Sequence, residues 1–400
     1  MTTMNRKKFF SILLLGASSI FALAQHTIVI DVDAKRSNVP VYKVAITSSN
    51  AKLQQLAKRA FSTHGSYILV NQANAQFVFN FEQASANSVR VSVKGSRSTE
   101  RIVSGANLVN ALMKACDIAV ESTLHTKGYF AGKLAFAYSK VGGASSEIAV
   151  SDMVFQNIRI ITKDKSDSMW PHFSPDGSRI AYTGYYRAGF MDLFMIDLNS
   201  NTRKTLASYK GSNCGGAMSP DGSKMAVILT SSGNAEIWVG NAQCKGLRKV
   251  TKTSSTESSV SFSPDGKRLI FASDVRGRPQ VYTMPVSGGR MQVVSSRLSN
   301  YCSEPDWNWV NPDLIVFTIA QGRGFQVATY NFRTREAKVV SRGASTSGAK
   351  WLSDGRHIVC QKSFGKNRRL YVIDTETGRQ TQLHSNGLGS LSDPDFVYPR

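Results

Sequence analysis

From about residue 130 onward, apolar and polar positions fall into short β-type runs separated by turns, and the runs repeat. Ser174-Pro175-Asp176-Gly177, Ser219-Pro220-Asp221-Gly222 and Ser263-Pro264-Asp265-Gly266 recur at intervals of 45 and 44 residues, and degenerate copies follow at Asn311-Pro312-Asp313 and Ser353-Asp354-Gly355. A short segment ending in an aromatic residue or Met precedes each copy (Phe173, Met218, Phe262, Trp307, Trp351). A β-rich run such as Arg179-Ile180-Ala181-Tyr182 or Arg268-Leu269-Ile270-Phe271 comes after it. Pro presets φ, Asp bonds its own backbone and Gly accepts positive φ, so each unit reads as strand, turn, strand. A third strand follows, as at Asp192–Asp197 and Glu236–Val239, and a fourth closes the unit after another turn, as at Gly246–Val250. Four short strands at a period near 45 residues describe a propeller blade.

Five blades are explicit, and the two ends of the repeat region assemble a sixth. Residues 132–138 and 147–162 supply three strands without an inner one. Pro394-Asp395-Phe396-Val397-Tyr398-Pro399 has the inner-strand frame and then stops, so the C-terminus is expected to close blade one and latch the ring. Residues 25–130 lie outside the period. Ile28, Ile30 and Val32 alternate along a first strand, 41–47 makes a second, and Leu53, Leu56, Ala60 and Phe61 sit at helical spacing. Strands follow at 67–70, 77–81 and 89–93, then a second helix over about 106–124. The expected fold is an α/β N-terminal domain (25–130) plus an all-β six-bladed β-propeller (131–400).

The first 24 residues change the compartment. Arg6-Lys7-Lys8 forms a basic region, Phe9 to Phe21 an apolar one, and Ala22-Leu23-Ala24 a small-residue cleavage signal before Gln25. This is the pattern of a secretory signal peptide, too short and too interrupted for a spanning helix. No Cys stands at the cleavage point, so the exported product is expected without a lipid anchor. Five cysteines (Cys116, Cys214, Cys244, Cys302, Cys360) are too scattered for a disulfide framework and read as small buried hydrophobes.

The formal charge of +22 favours an anionic surface such as outer-membrane lipid, peptidoglycan or an acidic partner. Nucleic acid does not fit the exported compartment. No G-x-S-x-G, H-E-x-x-H, G-x-G-x-x-G or P-loop occurs, and the six histidines lack metal-ligand spacing. Neither a catalytic set nor a cofactor is therefore expected. The alternative from another class is a secreted propeller enzyme acting on a small molecule or glycan in the channel, with His172 the residue to watch. A third reading is a propeller scaffold for another envelope protein.

Individual motifs narrow the choice. Ser273-Asp274-Val275-Arg276-Gly277-Arg278-Pro279-Gln280-Val281-Tyr282, Glu304-Pro305-Asp306-Trp307, Asp117 with Lys127-Gly128-Tyr129-Phe130, and Ile28-Val29-Ile30-Asp31 together resemble the periplasmic TolB family. The resemblance spans essentially the whole exported chain and is strongest in the middle blades. It implies a non-catalytic, monomeric Tol-Pal component that binds the lipoprotein Pal at the propeller mouth and supports envelope integrity during division. It also implies a mature N-terminal segment directed toward TolA, here Gln25, His26, Thr27, Ile28, Val29, Ile30, Asp31, Val32 and Asp33. The family's Thr-Glu-Pro cluster maps onto Ser303, Glu304 and Pro305. The third-blade loop departs from the family, reading Ser212-Asn213-Cys214 where known members carry a Pal-contacting His. Residues opening the inner strands, including Trp170, Asn213 and Glu257, are expected to converge with that cluster on one rim.

Overall fold

A computed structural model describes residues 39–95, 98–186 and 190–399. The leader and the segment Gln25 to Asp33 lie outside the described residues.

The N-terminal unit runs β1 (Tyr42–Thr47), α1 (Ala51–Ser62), β2 (Tyr67–Leu69), β3 (Phe77–Ser85), β4 (Ser88–Lys94), β5 (Thr99–Ser104) and α2 (Leu108–Leu124). The sheet order is β2-β1-β3-β4-β5, with β1 parallel to both neighbours and β3-β4-β5 an antiparallel meander. Asn50 caps α1, its side chain accepting from the N–H groups of Lys52 and Leu53; Asn107 caps α2 through the N–H of Asn110. That cap is why the second helix begins at Leu108 and not at 106. Both helices pack on the sheet face carrying Phe79, Phe81, Val89, Val91 and Val93. Strand β5 carries no apolar alternation in Thr99-Glu100-Arg101-Ile102, because it is an edge strand exposed along most of its length.

Six four-stranded antiparallel sheets follow. Their inner strands are Ser390–Val397 for blade one, then Ser168–Phe173, Asn213–Met218, Glu257–Phe262, Cys302–Trp307 and Thr346–Trp351 for blades two to six. The Ser-Pro-Asp-Gly turns repeat one hydrogen-bond set: the Ser hydroxyl accepts from the N–H five residues on at 2.9 Å, at Arg179, Lys224 and Arg268 alike. Adjacent blades share apolar seams; Ile270 and Val281 of blade four, for example, join Trp307 and Phe317 of blade five.

The C-terminal strand closes the ring, with Ser390 opposite Ser139 and Val397 opposite Lys133. All five thiols are free, four of them buried and Cys214 half-buried. Among the described residues no helix is long and apolar enough to cross a membrane.

Inner strands all begin at one end of the barrel, which we call the mouth; the Ser-Pro-Asp-Gly turns lie at the other. The α/β unit binds that other end and the outer edge of blade six. Ser353 Oγ donates to the Gly128 carbonyl at 2.9 Å, Arg379 to the Tyr67 carbonyl at 2.7 Å, and Arg59 to the Leu383 carbonyl at 2.6 Å. Among the described residues, the α/β unit makes these contacts away from the mouth.

Candidate functional site at the propeller mouth

Each inner strand carries one left-handed residue, and the six are equivalent: Trp170 (φ 51°), Gly215 (65°), Ser259 (55°), Glu304 (50°), Gly348 (62°) and Asp393 (52°). Each coincides with a register shift against the neighbouring strand, so each is a β-bulge. The residue after it is Pro in three blades (Pro171, Pro305, Pro394). A bulge tolerates Pro because the ladder bond is already lost. Only Gly215 and Gly348 adopt this geometry without penalty; the other four hold a conformation that costs about 1–2 kcal/mol each. Strain repeated at one level of a barrel marks a surface that the fold over-determines.

The ring surrounds a cavity of about 200 Å³ lined by Trp170, His172, Cys214, Ser259, Glu304, Lys350 and Asp393, among others. Carboxylates in and behind this lining fasten one blade to the next. Glu304 accepts from Thr318 Oγ1 and from the Gly348 N–H of blade six, both at 2.8 Å. Asp306 accepts from the Trp351 N–H at 3.1 Å and from Lys350 Nζ at 3.2 Å. Asp395 accepts from the Phe173 N–H at 2.7 Å and meets His172 Nδ1 at 3.1 Å. Burial works against the Lys350 ammonium, but Asp306, Asp395 and Glu304 hold it above its usual range. Burial pushes the Asp393 carboxyl up to about 6.

Trp170, Glu304 and Pro305 stand in this lining, and Trp170 is 44% exposed. Ser303 is buried beside them. Asn213 and Glu257, expected on the rim, are instead buried and do not line the cavity. In those blades the ring positions are Gly215 and Ser259, two residues further on; the bulge turns the first inner-strand residue back into the protein. The Asn213 amide braces the preceding loop, donating to the Tyr209 carbonyl and accepting from the Tyr209 N–H. Glu257 accepts from Ser273 Oγ at 2.8 Å and Thr253 Oγ1 at 3.0 Å inside the seam between blades three and four.

That seam holds a second acid. Glu236 faces Glu257, and each has one buried oxygen without a donor. Two facing carboxylates need a shared proton, and burial followed by the Glu236 charge pushes Glu257 up to about 7. A raised folded value means the contribution to stability is full below the unfolded value near 4.5 and is lost as pH rises through about 7. Glu257→Gln is therefore expected to flatten the fall in melting temperature between pH 5 and 8; slopes identical to the unsubstituted protein's would refute the shared proton.

The histidines escaped sequence reasoning for a different reason. His64, far along the chain from Asp354 and His357, joins them so that potential ligand atoms lie within 4.8 Å of one another between the α/β unit and blade six. His357 Nδ1 is taken by Asp354 at 2.5 Å, and its Nε2 lies 3.3 Å from the Gly65 N–H and 3.5 Å from Asp374. His64 Nδ1 accepts from the Ser66 N–H. Burial works against a charged His357, but Asp354 and Asp374 hold it up to about 9. These contacts make the cluster a fastener between the two units.

Residues 120–396 match the TolB beta propeller domain family. The chain belongs to that family. Relatives called Tol-Pal system protein TolB, from Bordetella pertussis and Bordetella parapertussis, are each 26% identical over 174 residues, which is 43% of this chain and 39% of theirs. The aligned region thus spans about two fifths of the length of these curated relatives. The crystal structure of TolB from Acinetobacter baumannii superposes with a TM-score of 0.79 at 18% identity, covering 90% of this chain and 98% of that one. Both the α/β unit and the propeller are therefore part of the shared TolB fold. A chain of a nidogen–laminin complex also superposes, with a TM-score of 0.56 at 11% identity over 67% of this chain and 99% of its own. The propeller alone therefore does not specify a task.

Proposed function

We propose that this TolB-family chain is a non-catalytic component of a Tol-Pal envelope system, exported to the periplasm by its first 24 residues. Its mouth binds the peptidoglycan-associated lipoprotein Pal, and Gln25 to Asp33 is directed toward TolA. The observation that carries the reading is the ring of six bulges around the cavity, in a chain of the TolB family. A strained, repeated ring with an exposed Trp at its edge suits a docking site, where an aromatic anchor beside a desolvated pocket concentrates binding energy. Glu304, Asp306 and Asp395 are engaged by backbone N–H groups of the neighbouring inner strand, which supports binding over acid–base chemistry.

The test is calorimetric titration of residues 25–400 with the soluble domain of the Pal protein from the same genome. Wild-type binding is expected to weaken by about tenfold or more in Glu304→Arg, which reverses a charge inside the contact. Glu304→Gln keeps an acceptor for the Thr318 and Gly348 donors and separates loss of charge from loss of ring geometry. Absence of wild-type binding at every ionic strength would remove the Pal assignment.

A further inference from the structure

The basic excess of this chain is not spread evenly over the propeller. Two sets of connections face the mouth: those between second and third strands, and those that lead from one blade to the next. Among the described residues they carry eleven Lys and Arg, all exposed, including Lys163, Lys165, Lys210, Arg276, Arg278 and Arg323, against three acids. Those three acids are spent internally. Asp164 pairs with Arg203, Asp167 accepts from Ser146, and Asp274 accepts from the Thr256 N–H. At the opposite end the corresponding turns carry seven basic and seven acidic residues. Inside the basic circle the cavity is lined by Glu304 and Asp393 beside Lys350, while Asp306 and Asp395 lie behind that lining, paired with Lys350 and His172.

We infer that the mouth recognises its partner by a concentric charge pattern: the partner is a folded protein with an acidic face, from whose centre a segment projects into the cavity. This rests on the reading of the mouth as a docking site and deepens it by naming the chemistry of the partner. Like charges at similar radius around a rim sum to a field that reaches an approaching surface, accelerates encounter and rejects basic partners. A flat anionic bilayer would meet the outer circle alone and leave the cavity of about 200 Å³ unfilled. A protein with a protruding centre fills both. The shape of the site therefore favours a polypeptide over a lipid surface.

The experiment compares two triple substitutions in residues 25–400 that change net charge equally. Arg276→Glu, Arg278→Glu and Arg323→Glu reverse the mouth; Lys267→Glu, Arg290→Glu and Arg335→Glu reverse the opposite end. The probes are the soluble Pal domain, poly-L-glutamate and phosphatidylglycerol vesicles, each at low and physiological salt. The mouth triple is expected to lose about tenfold or more of the affinity for the acidic polypeptide and to flatten its salt dependence, while the opposite triple stays near wild type. Equal losses in the two triples would overturn the inference, because bulk charge alone would then explain binding. Vesicle binding that the mouth triple abolishes, with no binding of poly-L-glutamate, would also overturn it in favour of lipid. Pal binding that neither salt nor the mouth triple changes would overturn the charge pattern and leave the docking role standing. Poly-L-glutamate binding that depends on the mouth, with Pal unbound, would sustain the charge pattern and remove the Pal assignment.

Discussion

Removing residues 390–399 is expected to abolish cooperative folding of the propeller, not merely to lower its melting temperature. Ser390–Val397 is the inner strand of blade one, and without it Lys133–Ser139 becomes an unpaired edge lining the barrel. The loss reaches further than one ladder. Asp395 satisfies the Phe173 N–H of blade two, Leu391 and Val397 are buried, and the Phe396 ring lies where Gly132 leaves room for it. The blade one seam would thus be open on its inner and its blade-two side together. Circular dichroism melting and size-exclusion chromatography check this: a broad transition with aggregation is expected for the truncated chain. A sharp transition within a few degrees of the full chain would show that the ring does not need its latch.

Asp117→Ala is expected to cost about 3 kcal/mol or more, because three buried donors lose their acceptor at about 1–3 kcal/mol each. Asp117 lies on α2 and is buried, yet its carboxylate receives three donors from two other parts of the chain. The N–H groups of Phe130 and Ala131, at the junction between the units, donate at 2.8 and 3.0 Å, and the Tyr398 hydroxyl after the latch strand donates at 2.9 Å. Alanine would leave two buried N–H groups and one hydroxyl without an acceptor, each with its own desolvation penalty. Gly128 belongs to the same device: a Cβ there would stand 2.1 Å from Asp117 Oδ1, so the junction closes over the carboxylate only because residue 128 has no side chain. Asp117→Asn keeps one carbonyl oxygen and is expected to lose less. Denaturant unfolding measures both; a loss below about 1 kcal/mol for the alanine variant, the level of an ordinary surface change, would show that these donors find water or other partners.

How far the sequence could be read depended on how local the determining chemistry was. The blades were legible because Ser-Pro-Asp-Gly closes its own turn: the Ser hydroxyl and the Asp carboxylate bond within five residues, whatever surrounds them. The borrowed strand of blade one was legible because Pro394-Asp395-Phe396 repeats an inner-strand frame already seen as Pro171-His172-Phe173. The ring of bulges was not. Trp, Gly, Ser, Glu, Gly and Asp occupy its six equivalent positions, and no propensity unites them; their left-handed geometry comes from packing around the channel. An expectation of Asn213 and Glu257 on the rim is therefore two residues out of phase with the ring positions Gly215 and Ser259. The pairing of His64 with His357 was hidden by distance along the chain: Asp354 lies three residues before His357, but only the docking of the α/β unit on blade six brings the two rings to 4.4 Å.

The α/β unit and the mouth occupy opposite ends of the same blades, and this sets how the molecule would bear a load. A pull between a partner held at the mouth and the N-terminal unit runs lengthwise along the strands, while the ladder bonds of antiparallel strands lie across them. Lys133–Ser139, which leads out of the α/β unit, and its partner Ser390–Val397 would be strained in shear, so their bonds must give way together. A pull on the C-terminus alone would peel the same ladder one bond at a time from Val397. The same ladder would thus be stiff to a load along the axis of the blades and compliant to one applied at the C-terminal tail.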